Sequence, residues 1–158
     1  MRVLGIDPGF AIVGFGVVDY VGSKFSVIDF GVVTTNAGDN IFDRLKLIYD
    51  DISELIKRTK PDCVAIEELF FNTNTKTAIT VAEARGILIL AALNAGIPVF
   101  EYTPLQVKQA VTGYGRADKN QVQQMIKILL NLEKIPKPDD AADALAIAIC
   151  CAHSVRSL

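Results

Sequence analysis

A chain of 158 residues can bury a sizeable core without disulfide or metal staples, and it is most simply one domain spanning residues 1–158. Hydrophobic residues make up 51% of it with no low-complexity tract, which excludes a disordered chain. Its formal net charge of −2 argues against the basic profile expected of a nucleic-acid binder.

Met1–Asp7 reads as a strand ended by the turn signal Pro8-Gly9. Gly14–Tyr20 and Phe25–Thr35 read as two more, joined by a hairpin over Val21-Gly22-Ser23-Lys24. Ile41, Leu45, Ile48, Ile52, Leu55 and Ile56 recur at helical spacing and predict a helix over 41–58. Asp62–Leu69 reads as a strand after Pro61, and Lys76–Ala95 as a helix stopped by Gly96-Ile97-Pro98. Val99–Tyr102 is the last strand. Helices follow at Pro104–Val111, Lys119–Leu132 and Asp139–His153. Three antiparallel strands, then αβαβ, then helices predict an α/β fold, a five-stranded mixed sheet covered by helices on both faces.

The N-terminus lacks a basic region followed by an apolar signal stretch, and the longest apolar run, around Gly86 to Ala92, is too short to span a bilayer. No membrane association is therefore expected. Cys63, Cys150 and Cys151 are odd in number, lie in apolar surroundings and show no zinc spacing. A reduced, cytoplasmic protein with buried thiols is the expectation.

Four carboxylates punctuate apolar surroundings: Asp7, Glu67, Asp140 and Asp143. The first two close runs that read as buried strands, where an ionised carboxylate is rare unless paired or holding a metal. If the first and fourth strands lie side by side, Asp7 and Glu67 are neighbours. Asp140 and Asp143 are three apart, so a helix presents both on one face. Each has an ordinary reading too. Asp7 suits a turn, and Asp139, Asp140 and Asp143 suit a helix cap and first turn. Glu67 is harder to dismiss, because it follows an apolar strand. Collected in one place, such hard oxygen donors hold Mg²⁺ against a phosphate. Two divalent cations would move the formal charge from −2 to about +2. Between Tyr102 and Leu130, Lys108, Arg116, Lys119 and Lys127 face only Asp118. That basic flank suits either a polyanion or a solvated helix face.

The segments Gly5-Ile6-Asp7-Pro8-Gly9, Ala65-Ile66-Glu67, Phe100-Glu101-Tyr102 with Gln106-Val107-Lys108-Gln109, and Asp140-Ala141-Ala142-Asp143-Ala144-Leu145-Ala146 together resemble the RuvC family of Holliday-junction resolvases. Leu45-Lys46-Leu47-Ile48-Tyr49 and Ala84-Arg85-Gly86 fit as well, so the resemblance runs from Met1 to about His153. It implies an RNase H-like fold and a homodimeric endonuclease that nicks two opposite strands of four-way junction DNA. It implies two Mg²⁺ ions per subunit, with Mn²⁺ as a substitute, and cooperation with the RuvA–RuvB branch-migration complex. By motif match the catalytic acids and metal ligands are Asp7, Glu67, Asp140 and Asp143, with Lys108 and Lys119 near the scissile phosphate. Lys119 and Arg116 are then expected on the DNA, and Phe70, just past the catalytic strand, as a wedge or stacking residue. Phe71 suits core or dimer packing at least as well. The glycines of Thr112-Gly113-Tyr114-Gly115-Arg116 suit backbone amides approaching phosphate, or a bland turn. The helix Lys76–Ala95 is apolar on all sides, which suits either a sheet cover or a two-fold interface. His153 is expected to have no catalytic role. The alternatives are another RNase H-like nuclease acting on RNA or other branched nucleic acid, a sugar-kinase-like phosphate turn, and a non-catalytic binding relative.

Overall fold

A computed structural model describes residues 1–70 and 75–155 of the chain. Five strands, β1 (Arg2–Asp7), β2 (Ile12–Val21), β3 (Lys24–Thr34), β4 (Cys63–Glu67) and β5 (Val99–Tyr102), form one sheet in the order β3-β2-β1-β4-β5. β1, β2 and β3 are antiparallel neighbours, while β1–β4 and β4–β5 are parallel. The first and fourth strands do lie side by side, as the order of elements predicts. Gly22 and Ser23 both take left-handed backbone, with φ 54° and 66°, which makes the β2–β3 connection a two-residue turn matched to strand twist.

Helices cover both faces. α1 (Ile41–Thr59) and α2 (Thr75–Asn94) pack on one side, against Leu4, Ile6, Val17, Val64 and Ile66. α3 (Pro104–Thr112), α4 (Lys119–Leu129) and α5 (Asp139–Ser154) pack on the other, against Val3, Val18, Cys63 and Ala65. The alternation of strand side chains divides the core into these two layers.

Local chemistry sets the ends of these elements. Thr103 caps α3 and Asp118 caps α4, each in a reciprocal box with the Gln three residues on. α4 stops short of the expected Leu132, because Leu130 is its cap and Asn131 turns left-handed with φ 50°. β4 is shorter than the expected Asp62–Leu69. Its ladder with β1 ends at Ile6–Ile66 and that with β5 at Glu67–Tyr102, so no strand partners remain beyond.

α2 buries Ala84, Leu88, Ala91 and Ala92 but leaves Ile79, Leu90 and Leu93 exposed. Its segment Thr77–Asn94 is long and apolar enough to cross a bilayer by length and composition, which the run Gly86–Ala92 alone did not suggest. Only 22% of that segment is buried against the rest of the chain. The three cysteines are buried and free, with the Cys63 and Cys151 sulfurs 3.7 Å apart between β4 and α5. Phe71 lies outside the described residues.

Candidate active site

Strand alternation puts Val3, Gly5 and Asp7 on one face of β1, and Cys63, Ala65 and Glu67 on the same face of β4. The parallel register keeps the two strands level through Ile6–Ile66, so Asp7 and Glu67 leave adjacent strand ends together. α5 lies directly on this face because glycines make room for it. A Cβ on Gly5 would stand 2.1 Å from the Ala144 carbonyl oxygen, and one on Gly14 would stand 2.0 Å from that of Asp140. This close approach brings the first turns of α5, with Asp140 and Asp143, over the end of β1.

Asp7, Glu67, Asp143, Lys108 and Lys119 line one cavity of about 250 Å³, walled by Pro104, Val107, Val122 and Ala146. Asp140 does not line it, but its charge reaches both Asp7 and Asp143. A larger cavity of about 540 Å³ opens between α1 and α2 around Asp50, Asp51 and Glu54, and none of the four acids lines it. Phe70 and Arg116 are exposed on loops outside the carboxylate cavity.

Burial, followed by the charges of Asp143, Glu67 and Asp140, pushes the Asp7 carboxyl up to about 8, although Lys119 opposes the shift. Burial and the Asp143 charge raise Glu67, against the pull of Lys108. Burial raises Asp143, with Asp139 and Asp140 adding to it and Lys119 opposing. The site is therefore short of positive charge. Among the described residues, no three Asp, Glu, His or Cys side chains stand as a ready-made ligand set. The donors are nonetheless all carboxylate oxygens that repel one another, a chemistry that fits a hard divalent cation.

Lys119 Nζ lies 3.2 Å from Asp139 and 3.4 Å from Asp143. Desolvation lowers its pKa, but the hydrogen bond to Asp139 and the charges of Asp143 and Asp139 outweigh it and raise the ammonium above its usual value. Asp139 also accepts from Lys137 at 2.9 Å and from the buried Gln123 amide at 3.2 Å. Hydrogen bonds from Lys137 and then Lys119 pull its carboxyl down to about 2. Asp139 is not the cap of α5. Pro138 holds that position and makes no side-chain cap bond. The sequence reading missed this lysine-holding role. The signal available was Asp139 and Asp143 four apart on one helical face.

Arg85 was also missed as a site neighbour. Its Nε donates to the Glu67 carbonyl at 3.1 Å and its Nη2 to Glu101 at 2.6 Å. Two amides of the glycine loop are used locally. Gly113 N–H donates to the Gln109 carbonyl as the α3 cap, and Tyr114 N–H donates to Thr112 Oγ1. Those two amides serve the turn. His153 packs edge-on against Phe25 and Tyr20, with ring centroids 5.3 and 5.8 Å away.

The family model described as Crossover junction endodeoxyribonuclease RuvC matches residues 3–151. The protein of that name from Caldanaerobacter subterraneus subsp. tengcongensis is 63% identical over 158 residues, covering 100% of this chain and 96% of the relative. The Thermus thermophilus RuvC structure superposes with a TM-score of 0.90 at 40% identity, covering 96% of this chain and 93% of that one. The T. thermophilus RuvC in complex with Holliday junction substrate gives a TM-score of 0.89 at 38% identity, with the same coverage. The RNase H-like architecture and the ordered motifs extend over nearly the whole chain, which belongs to the RuvC family of crossover junction endodeoxyribonucleases.

Proposed function

We propose that this protein resolves four-way DNA junctions by paired symmetric cleavage of opposite strands, in recombination and repair. Family membership over residues 3–151 supports the activity. The observation that carries its chemistry is one cavity shared by Asp7, Glu67, Asp143, Lys108 and Lys119.

We infer that Asp7, Glu67 and Asp140 would hold two Mg²⁺ ions per subunit, and that Asp143 would orient these ligands or their water. Mn²⁺ substitutes. Bound cations supply Lewis-acid charge and a hydroxide nucleophile. Asp7 is suited to its role because neighbouring negative charges surround it. Lys108 and Lys119 border the same cavity, so their ammonium groups stabilise charge that grows on the phosphate in the transition state. Asp139 holds Lys119 at that border. Phe70 and Arg116 are exposed and free to meet DNA away from the carboxylates.

Opposed nicks need two sites related by symmetry, and the second copy belongs on α2. Ile79, Leu90 and Leu93 are exposed there, and Phe42, Leu45, Tyr49, Ile87 and Leu90 line an apolar groove between α1 and α2. Residues 1–158 act as one nuclease unit in a homodimer. The reading of a bacterial cytoplasmic enzyme cooperating with RuvA–RuvB rests on family membership. Mapping nicks on an end-labelled junction tests the proposal. Paired nicks at symmetric positions are expected, and cuts scattered on all four arms would reject it.

A further inference from the structure

Glu67 stands where β4 leaves the sheet. Its ladder with β1 has ended one residue earlier, at Ile6–Ile66, and the Glu67–Tyr102 pair with β5 is the last. The Glu68 N–H still donates to the Tyr102 carbonyl at 2.9 Å, so the β5 side of this strand end is held by the ladder. The Glu67 carbonyl is held by a side chain. Arg85 Nε donates to it at 3.1 Å, and Nη2 of the same guanidinium donates to Glu101 Oε2 at 2.6 Å. Glu101 faces Ile66 across the β4–β5 ladder, so one rigid plane spans two adjacent strands. The Arg85 side chain is only 16% exposed, against 50% for Glu101. A hydrogen bond to a carbonyl in that sheltered position is worth more than one in open water.

We propose that Arg85 is a positioning residue for Glu67, fixing the peptide at the end of β4 and so the direction in which the Glu67 carboxylate leaves the strand. This inference rests on the junction-cleavage reading above. The guanidinium is the group suited to the task, because Nε and Nη2 donate side by side from one plane. A lysine in its place can satisfy only one acceptor along one direction at a time. Arg85 belongs to α2, where it precedes the exposed Gly86 while its own side chain stays sheltered. The contact therefore also couples the seating of the apolar helix to the geometry of one catalytic acid.

The test compares full-length wild type with Arg85→Ala and Arg85→Lys on a synthetic four-way junction, with single-turnover rates at saturating protein across a Mg²⁺ titration. Melting temperature with and without Mg²⁺ supplies a readout independent of cleavage, since a ligand of the folded state raises it by mass action. Both variants should need at least about 3-fold more Mg²⁺ for half-maximal rate, and Arg85→Ala should lose about 10-fold in rate, as expected when a ligand's support is removed. The Mg²⁺-induced rise in melting temperature should shrink in both, while junction affinity in EDTA stays at the wild-type value. A loss of stability alone lowers the melting temperature in EDTA and leaves the Mg²⁺ requirement unchanged. Wild-type Mg²⁺ half-saturation and a wild-type Mg²⁺-induced rise in a variant would overturn the positioning role, whatever its rate. Arg85→Lys keeps the charge and carries the test if the alanine variant does not fold. A wild type that fails to cut the junction overturns the junction reading, and the Mg²⁺-induced melting shift still tests Arg85.

Discussion

At the scale of single residues, the cost of gathering acids falls most heavily on Asp7. Burial and its three acidic neighbours hold its carboxyl at about 8, far above an ordinary aspartate. A carboxyl raised in this way binds a proton in the folded state that the unfolded chain has released. Between about pH 4 and pH 8, therefore, stability in EDTA falls as pH rises. Asp7→Asn removes that charge, so it should melt higher than wild type at pH 8, by on the order of 5 °C, and match it near pH 4. Melting scans of both proteins in EDTA check this. Equal melting temperatures at pH 8 would show that Asp7 bears no such strain. The same variant should lose cleavage while binding junctions as well or better, and near-normal nicking in Mg²⁺ would sink the metal-holding role of Asp7. Asp143→Asn should be the mildest of the four acid changes, if Asp143 only orients a ligand.

The lysines separate chemistry from binding. Lys108→Ala and Lys119→Ala should slow single-turnover cleavage by about 100-fold even at saturating protein. Arg116→Ala should chiefly weaken binding and flatten its salt dependence, because Arg116 is exposed outside the carboxylate cavity. If excess protein restores full rates to both lysine variants, their catalytic assignment is wrong. The four acids were legible in the sequence because each stands against apolar neighbours. Arg85 and Asp139 were not. The contacts in question span 18 residues, to Glu67, and 20, to Lys119, and only the tertiary fold brings those groups together.

At the scale of elements, the fold was legible in order and type, since strand alternation and helical spacing are local signals. The approach of α5 to the sheet was not, because it depends on which glycines face which helix. Gly5 meets the Ala144 and Ala148 backbone, and Gly14 meets that of Asp140. Gly5→Ala should displace α5, cost about 2–3 kcal/mol, and lower cleavage by moving Asp140 and Asp143. Urea midpoints measure the first effect and single-turnover rates the second; a wild-type midpoint would contradict the close approach. On α2, apolar character all round left interface and core unresolved in the sequence. Leu88 is 0% exposed and Leu90 is 47% exposed, which separates them. Leu88→Glu should fail to fold, while Leu90→Glu should fold and shift light scattering toward the monomer. A stable dimer of Leu90→Glu would move the interface elsewhere.

At the scale of the whole molecule, the weak negative charge hides a division of labour. Acids gather in one cavity at the end of β1 and β4, with two lysines on its border, and an apolar helix lies on the opposite face of the sheet. One face suits metal and phosphate, and the other suits a second copy. The proposed symmetric cleavage would come from joining two such subunits. The most direct test is cleavage of a synthetic four-way junction beside matched linear duplex, in Mg²⁺ and in EDTA. Paired nicks in the junction alone, lost in EDTA, are the expected result. Equal cutting of the linear duplex, or cutting that survives EDTA, would contradict a metal-dependent junction resolvase.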